Sequence, residues 1–386
     1  MTSLIAAFMV FAWLVALLAM ADVYRLLPKP GQWPASALVG PWPRLSVIIP
    51  ARNEEKNIGP LLESVFLQEY PDLEVIVLND HSTDRTAEIV AGFQAGRPGL
   101  RIVEGSPLPP GWAGKIHACR QAAALATGEW LLFLDADMRL EPECLKRSVA
   151  FARAEGSDLF TVIPKMEYDT FWEAVVQPIM ALAIMIAFPA KALNDPESSV
   201  AAANGPFLLF RREAYEAIGG HAALEGVVVD DLALARRIKA HKKRLTYALG
   251  NDMARLRVFE GLRHLWDGWS RNIYVGLGNR AYLGIAAALG VFAFLIWPLV
   301  AIALNASHAI AGRPGAGAEL ALWAVVVLAT LTCRRALSVL FGLASEWALL
   351  YPLGAVLVIG MILNSTWKGF RGQAIAWRGR GYSPRS

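Results

Sequence analysis

Long uncharged apolar segments lie near both ends of the chain. Residues 3–21, 281–304 and 347–367 contain no Asp, Glu, Lys or Arg, and each approaches or exceeds the roughly 20 residues that span a bilayer. A fourth run, 320–333, is shorter and lies between Glu319 and Arg334. We therefore predict an N-terminal transmembrane anchor at residues 1–24 and a C-terminal transmembrane region at 281–367.

The first apolar run also ends in Ala19-Met20-Ala21, which is typical of a signal-peptide cleavage site. No Lys or Arg precedes the run, whereas Arg25 and Lys29 follow it. This distribution favours an uncleaved anchor whose downstream side is cytoplasmic. The sequence thus predicts an integral, multi-pass protein of the inner (cell) membrane with its central domain in the cytoplasm.

The basic tail at 368–386 has five Lys or Arg and no acid, so the positive-inside rule predicts that it is cytoplasmic too. An inside tail requires an even number of crossings after residue 280. We expect 281–304 and 347–367 to cross and 320–333 not to cross. The alternative is that 320–333 crosses by snorkelling of its terminal charges, which gives four spans and an outside tail.

Residues 174–190 are also uncharged, but Pro178 and Pro189 interrupt them. A run this short between prolines is typical of an interfacial or re-entrant helix, and equally of a buried core helix. The sequence does not choose between these two.

The region between the apolar ends alternates short β-branched runs with helical patterns. The predicted strands are 45–50, 73–80, 130–137 and 158–165, and the predicted helices are 54–69, 83–94, 114–127 and 142–154. This alternation predicts an α/β domain at 44–280 with a mostly parallel, Rossmann-like sheet. Ligands of such sheets bind beyond the carboxyl ends of the strands, where the sequence places polar groups.

Two carboxylates, Asp135 and Asp137, close the apolar strand WLLFL at a spacing of two residues. In an extended backbone this spacing directs both side chains to one face, where they suit a hard divalent cation and a phosphate. The alternative is a solvated strand end.

Three further polar sites accompany this pair. Asp80 ends the second strand, although residues 79–86 also resemble a turn and a helix N-cap with Ser82 or Thr83 as the cap. Lys115 begins a helix after a Gly-rich turn and suits an anion, or belongs to an ordinary turn. Asp230-Asp231 precede an amphipathic helix, either as capping residues or as a general base.

Four ordered motifs give these residues a family resemblance. VIIPARNEE, VLNDHSTDRT, LLFLDAD and VVDDLALARRIKA resemble the family 2 glycosyltransferases of the GT-A fold. Residues 107–122, 194–223 and 377–382 resemble the membrane-bound branch that includes hopene-associated and carotenoid-type glycosyltransferases. The resemblance implies an inverting transfer of a sugar from a nucleotide-diphosphate sugar to a lipid-like acceptor (isoprenoid, hopanoid, carotenoid or glycolipid).

The resemblance also implies roles for individual residues. Asp231 would be the catalytic base, and Asp137 would hold a divalent metal ion, Mg²⁺ or Mn²⁺. The donor would be framed by Pro50, Arg52, Glu54, Asp80, Lys115 and Asp135.

The chain departs from the family pattern in three places. Asn79 replaces a common Asp, and Asp230 stands where Glu is usual. The Q-x-x-R-W motif of processive synthases is missing, and Trp269-Ser270-Arg271-Asn272 stands in its place. Asp230, Arg271 and Asn272 are therefore candidates for the diphosphate or acceptor side.

Composition and charge agree with this interpretation. The chain of 386 residues is 55% hydrophobic and 18% charged, which is unusual for a purely soluble enzyme. Three cysteines cannot form an even disulfide framework. Eleven Lys or Arg lie between 236 and 280, interleaved with Trp266, Trp269 and Tyr274. With no nucleic-acid signature and a net charge of +4, we expect this segment to contact anionic headgroups and not nucleic acid.

Two other classes of function compete with a transferase. A catalytically inactive membrane scaffold or nucleotide-sensing protein would not need all four aspartates, Asp80, Asp135, Asp137 and Asp231. A nucleotidyltransferase would carry a Gly-rich basic loop after the first strand, and PARNEEKN is not one.

Overall fold

The computed structural model describes residues 2–34, 41–257 and 259–372, and the backbone of 375–377 and 380–382. The described chain forms two compact units. A sheet unit contains residues 26–167 and 190–257. A helical unit contains residues 2–25, 168–189 and 259–372.

The strands and helices of both units follow one another along the chain. The strands are β1 Leu45–Ala51, β2 Leu73–Asn79, β3 Leu100–Glu104, β4 Trp130–Leu134, β5 Met138–Leu140, β6 Leu159–Met166, β7 Phe207–Arg211, β8 Leu245–Leu256, β9 Ile375–Trp377 and β10 Arg380–Tyr382. The helices are α1 Thr2–Leu26, α2 Ile58–Phe66, α3 Thr86–Gln94, α4 Gly114–Leu125, α5 Cys144–Ala154, α6 Phe171–Ala187, α7 Ala190–Leu193, α8 Arg212–Ala217, α9 Asp230–Ala240, α10 Leu262–Gly276, α11 Ala281–Val291, α12 Trp297–Ile310, α13 Ala316–Leu340 and α14 Tyr351–Phe370.

The sheet unit contains an eight-stranded sheet in the order β3-β2-β1-β4-β7-β6-β8-β5. The four strands from β3 to β4 are parallel to one another, β7 runs antiparallel to both its neighbours, and β6 and β8 are parallel. Because β1 lies between β2 and β4, the carboxyl ends of these three strands meet at one edge. The predicted mostly parallel α/β sheet is confirmed.

Alternate residues of β1 are buried on opposite faces of the sheet. Val47 and Ile49 are buried with the residues of α2 and α5 on one face, whereas Ile48 is buried with those of α4 and α9 on the other. A strand buried on both sides has no polar positions to alternate with. The sequence therefore showed this strand as a continuous apolar run.

The predicted strands correspond to β1, β2, β4 and β6, with one correction. Asp135 and Asp137 do not extend β4, which ends at Leu134. They lie in the turn to β5, where the amide of Met138 donates to the carbonyl of Asp135 at 3.2 Å. The two carboxylates therefore do not share one face of an extended strand, as predicted, although they remain electrostatic neighbours.

Two segments that we expected within the domain at 44–280 instead belong to the helical unit. In α6, Val175 and Ile179 pack against Gly354 of α14. In α10, Trp266 packs against Gly360, and Ser270 accepts a hydrogen bond from Asn364 at 2.9 Å. Small residues on α14 allow this close approach, and burial of the apolar faces of α6 and α10 stabilises it.

Burial along α6 has features of both interpretations of residues 174–190. The first half of α6, through Met180 and Leu182, is buried as a core helix would be, whereas Ile184 and Ile186 are exposed. The aromatic side chains Trp266 and Tyr274 meet Gly360 and Gly369 of α14, and their place at the headgroups stays a prediction.

Four helical segments are long and apolar enough to cross a membrane by length and composition: Thr2–Gln32, Ala281–Ile310, Ala316–Leu340 and Ser345–Phe370. The run 320–333 is therefore longer than we predicted. Its helix, α13, continues through Glu319 and Arg334 to a length of 25 residues. Of the predicted tail at 368–386, residues 373–374, 378–379 and 383–386 lie outside the described residues.

Candidate active site

The loops after β1 and β2 are clasped together at the carboxyl edge of the sheet. Arg52 Nη1 donates to the carbonyl oxygens of Asp80 at 2.6 Å and His81 at 3.2 Å. Asn53, in the left-handed region at φ 53°, donates its amide to Ser82 Oγ at 3.0 Å. The motif arginine thus holds two loops in register through backbone carbonyls.

Residues 79–86 form hydrogen bonds with the loop after β1, and neither Ser82 nor Thr83 caps a helix as predicted. Asp84 supplies the acceptor for the amide of Thr86 at 3.0 Å, and Thr86 Oγ1 accepts the amide of Glu54 at 2.8 Å. The Asn79 side chain is also used internally, because its Nδ2 donates to Glu104. Asp80 is buried beside this clasp, and its amide donates to Ala51 at 2.8 Å.

Lys115 links the strand end to helix α9. Its Nζ lies 2.7 Å from Asp135 Oδ1 and 3.7 Å from Asp230 Oδ2. Burial would lower the pKa of Lys115, but the two carboxylates outweigh it and raise the pKa well above its ordinary value. Lys115 therefore stays charged, and it joins two acids that lie 95 positions apart in the sequence.

Asp137 has an unsatisfied carboxylate. Its Oδ1 is buried and has no hydrogen-bond partner among the described residues. Burial, then the charges of Asp135 and Glu54, raise the pKa of Asp137 to about 7. A buried carboxylate beside two others attracts a cation, so this residue fits the divalent ion that the sequence implied.

The described residues contain no ready-made cluster of three or more metal-ligating side chains. Asp137 with its neighbour Asp135 would therefore supply only part of a coordination shell. The remaining oxygens must come from a ligand and from water, which is common for Mg²⁺ at phosphate sites.

Asp230 and Asp231 occupy the first turn of α9 but differ in their contacts. Asp230 lies toward Lys115 and toward the buried His221, whose Nε2 is 3.9 Å away. Asp231 Oδ2 accepts the amide of Gly205 at 3.1 Å. Burial, then the charge of Asp230, raise the pKa of Asp231 to about 6. This value leaves Asp231 ionised at neutral pH and able to take a proton.

Two of the site's residues were not found from the sequence. His221 is fully buried, its Nδ1 lies 2.9 Å from Tyr215 Oη, and burial lowers its pKa to about 4, so it is neutral. Gly205 lies so close to Asp231 that a Cβ would come within 3.0 Å of its Oδ2. No local pattern signals either role, since both depend on partners distant in sequence.

The structure brings together Lys115, Asp135, Asp137 and Asp230, with Asp231 beside Asp230. Glu54 is an electrostatic neighbour of Asp137. Pro50 and Arg52 lie on and just after β1. Arg271 and Asn272 lie on α10 of the helical unit, so they are not part of the sheet unit that carries the carboxylates.

Comparison with known proteins agrees with the fold and the motifs. Residues 46–219 match the family model described as Glycosyl transferase family 2. The chain is 31% identical over 239 residues to the 4,4'-diaponeurosporenoate glycosyltransferases of Staphylococcus aureus strains USA300 and MRSA252. For the USA300 protein, the match covers 61% of this chain and 62% of the relative.

A solved structure supports the same fold along almost the whole chain. The mannosyltransferase PcManGT from Pyrobaculum calidifontis, solved in complex with GDP-Man and Mn²⁺, is 21% identical with a TM-score of 0.57. The match covers 96% of this chain and 99% of that one. Residues 46–219 are thus similar to the family 2 glycosyltransferases, and the fold of the chain is similar to that of the mannosyltransferase, with the acidic cluster at the carboxyl edge of the sheet.

Proposed function

We propose that the protein is a membrane-bound, inverting glycosyltransferase that moves a sugar from a nucleotide-diphosphate sugar to a lipid-like acceptor. The observation that carries this proposal is the bridge from Asp135 through Lys115 to Asp230, which unites the donor-side strand end with helix α9. The acceptor named for the staphylococcal relatives and the apolar helices support a lipid-like acceptor.

The donor would be framed by Pro50, Arg52, Glu54, Asp80, Lys115 and Asp135. Asp137 would hold Mg²⁺ or Mn²⁺, since its buried Oδ1 is without a partner. When bound, this ion would neutralise charge on the diphosphate leaving group. Lys115 would add a fixed positive charge, and the Arg52 clasp would keep the strand-end loops in one arrangement for the nucleotide.

Asp231 would be the base. Its Oδ2 is oriented by the Gly205 amide, and its pKa of about 6 is well matched to removing a proton from an acceptor hydroxyl near neutral pH. A single base with no carboxylate nucleophile suits one direct displacement, which inverts the anomeric centre. Asp230 would hold Lys115.

The contacts within the helical unit support a three-crossing topology with a cytoplasmic tail. Trp13 of α1 meets Phe294, which lies between α11 and α12, and Ala6 is buried with Ala301 of α12, so α1 runs antiparallel to α11–α12. Trp323 joins the same cluster, and the short connection 311–315 makes α12 and α13 a hairpin. Thus α13 would cross and return to the side where α11 begins.

The end of α14 would lie on that same side, because its Thr366 meets Gly284 near the start of α11. The chain between 341 and 370 would then begin and end on one side, and α14 would be re-entrant. The tail would then lie inside, as the sequence predicts. However, 320–333 would cross the membrane and 347–367 would not, which is the opposite of the sequence prediction. The domain side would be cytoplasmic, because Arg25, Lys29, Arg334 and Lys368 would all lie there.

The experiment that tests the function is a donor screen on membranes containing the protein. Release of nucleotide diphosphate is measured with a panel of sugar nucleotides, with and without extracted lipids. We expect one donor to be used, with release that depends on lipid. The Asp231→Asn variant serves as the matched control. Donor binding without any transfer by the parent protein would favour the inactive nucleotide-sensing alternative.

A further inference from the structure

A buried arginine in the helical unit has no partner in the protein. Arg334 of α13 is only 1% exposed, and its Nε, Nη1 and Nη2 have no hydrogen-bond partner among the described residues. The described part of the chain contains no ion pair to it either. A guanidinium does not lose its proton in proteins, so the charge remains. A buried unpaired charge is strongly unfavourable unless an anion balances it or water accepts its hydrogen bonds.

The hydroxyl of Ser338, one helical turn further along the same face, has the same deficiency. It is fully buried and its Oγ has no partner among the described residues. Thr330 and Thr332 on the same helix instead donate to carbonyls of their own helix, at 2.9 Å each. Within α13, the buried side-chain donors without a partner among the described residues are those of Arg334 and Ser338, which are neighbours at i and i+4 near its C-terminal end.

We infer that this end of α13 binds the phosphate group of a membrane lipid through Arg334 and Ser338. A guanidinium offers a planar fork of N–H donors that matches two phosphate oxygens, and a serine hydroxyl can donate to a third. Cys333 and Leu337 on the same buried stripe are apolar, so these surroundings suit an anion that carries hydrocarbon more than a free hydrated ion.

The position of Arg334 along α13 agrees with a lipid phosphate. The helix is about 37 Å long, and Arg334 lies about 9 Å from its C-terminal end. In a helix that spans a hydrocarbon layer of about 30 Å, this places the residue near the headgroup boundary. The inference takes from the proposed function only that α13 crosses the membrane, and it does not require sugar transfer.

Two classes of lipid with a net negative charge provide this chemistry, an anionic phospholipid of the bilayer and an isoprenoid phosphate, whereas the phosphate of phosphatidylcholine is neutralised by its own choline. The experiment uses the full-length protein in phosphatidylcholine nanodiscs. Phosphatidylglycerol, undecaprenyl phosphate or inorganic phosphate is added in separate arms. Bound lipid is measured by native mass spectrometry, and the unfolding temperature is measured in parallel. The variants are Arg334→Gln, Arg334→Lys and the matched control Arg335→Gln, which removes the same charge from an exposed neighbouring position.

We expect the parent protein to bind one of the two lipids and to unfold at a higher temperature with it, while inorganic phosphate has little effect. Arg334→Gln should weaken lipid binding by about tenfold or more, Arg334→Lys by less, and Arg335→Gln by less than about twofold. Equal losses in both glutamine variants would overturn the inference. If Arg334→Gln does not fold, the test rests on the parent protein, and a parent protein that binds neither lipid would by itself overturn the inference.

Discussion

Replacement of Asp231 by Asn tests the proposed base most directly. The side chain keeps its shape, and Asn Oδ1 can still accept the Gly205 amide that Asp231 Oδ2 accepts at 3.1 Å. It can no longer take a proton. General-base catalysis contributes roughly 10²–10⁴-fold, so we expect kcat to fall by this factor while donor binding survives.

The pH dependence follows from the raised pKa of the parent residue. Burial and the neighbouring Asp230 raise the pKa of Asp231 from 3.8 to about 6. The ionised fraction is then about nine-tenths at pH 7 and just under one-tenth at pH 5, so activity should fall about tenfold between these values. Activity is lost as the pH falls because only the ionised carboxylate is a base.

The assay is nucleotide diphosphate release against pH at saturating donor and saturating divalent ion. The ion must be saturating because, when no cation is bound, the pKa of Asp137 is about 7 and its titration would overlap that of Asp231. Asp230→Asn is the informative companion variant. It removes the like charge beside Asp231, so the pKa of Asp231 should fall and the acidic limb should move to lower pH.

Three results would refute this reasoning. Parent-level turnover by Asp231→Asn would exclude it as the base and make Asp230 the next candidate. An acidic limb that stays near pH 6 in Asp231→Asn would assign the limb to another group. A limb that moves to higher pH in Asp230→Asn would contradict the electrostatic origin of the shift.

The remaining predictions concern the metal, the close glycine and the membrane. The pKa of Asp137 is about 7 in the folded protein and 3.8 in the unfolded chain, so the ion-free protein should become less stable as the pH rises from 3.8 to 7. Added Mn²⁺ should therefore raise the unfolding temperature more at pH 8 than at pH 5.5. In Asp137→Asn the effect of Mn²⁺ should no longer differ between the two pH values. Asp137→Ala should abolish turnover without unfolding the protein, and full activity in excess chelator would contradict the metal assignment. Gly205→Ala should lower kcat more than it changes donor KM, because the new Cβ comes within 3.0 Å of Asp231 Oδ2, and unchanged kinetics would show that this contact does not position the base. In a cysteine-free background, Gly312→Cys should react with an impermeant maleimide on intact cells, whereas Ser383→Cys should react only after permeabilisation. Labelling of both variants on intact cells would exclude the three-crossing topology and give four spans with an outside tail.

The local order of the sheet unit was readable from the sequence. Strands buried on both faces appear as continuous apolar runs, and the polar groups that follow β1, β2 and β4 mark the edge where ligands bind. The choice of Asp137 as the metal ligand and of Asp231 as the base came from the resemblance of the motifs around them, and both roles stay predictions. The apolar segments near both ends were equally visible, because the length of a bilayer-spanning helix is itself a sequence property.

Long-range packing decided the rest. The Lys115 bridge, the orphaned Asp137 oxygen and the raised pKa of Asp231 arise from charges distant in sequence that burial forces together. Likewise, the assignment of α6 and α10 to the helical unit depends on glycines of α14 that permit close approach. A linear pattern records which residues are apolar or charged. Only the tertiary structure decides which charges are desolvated together, and desolvation sets both their affinity for ions and their pKa values.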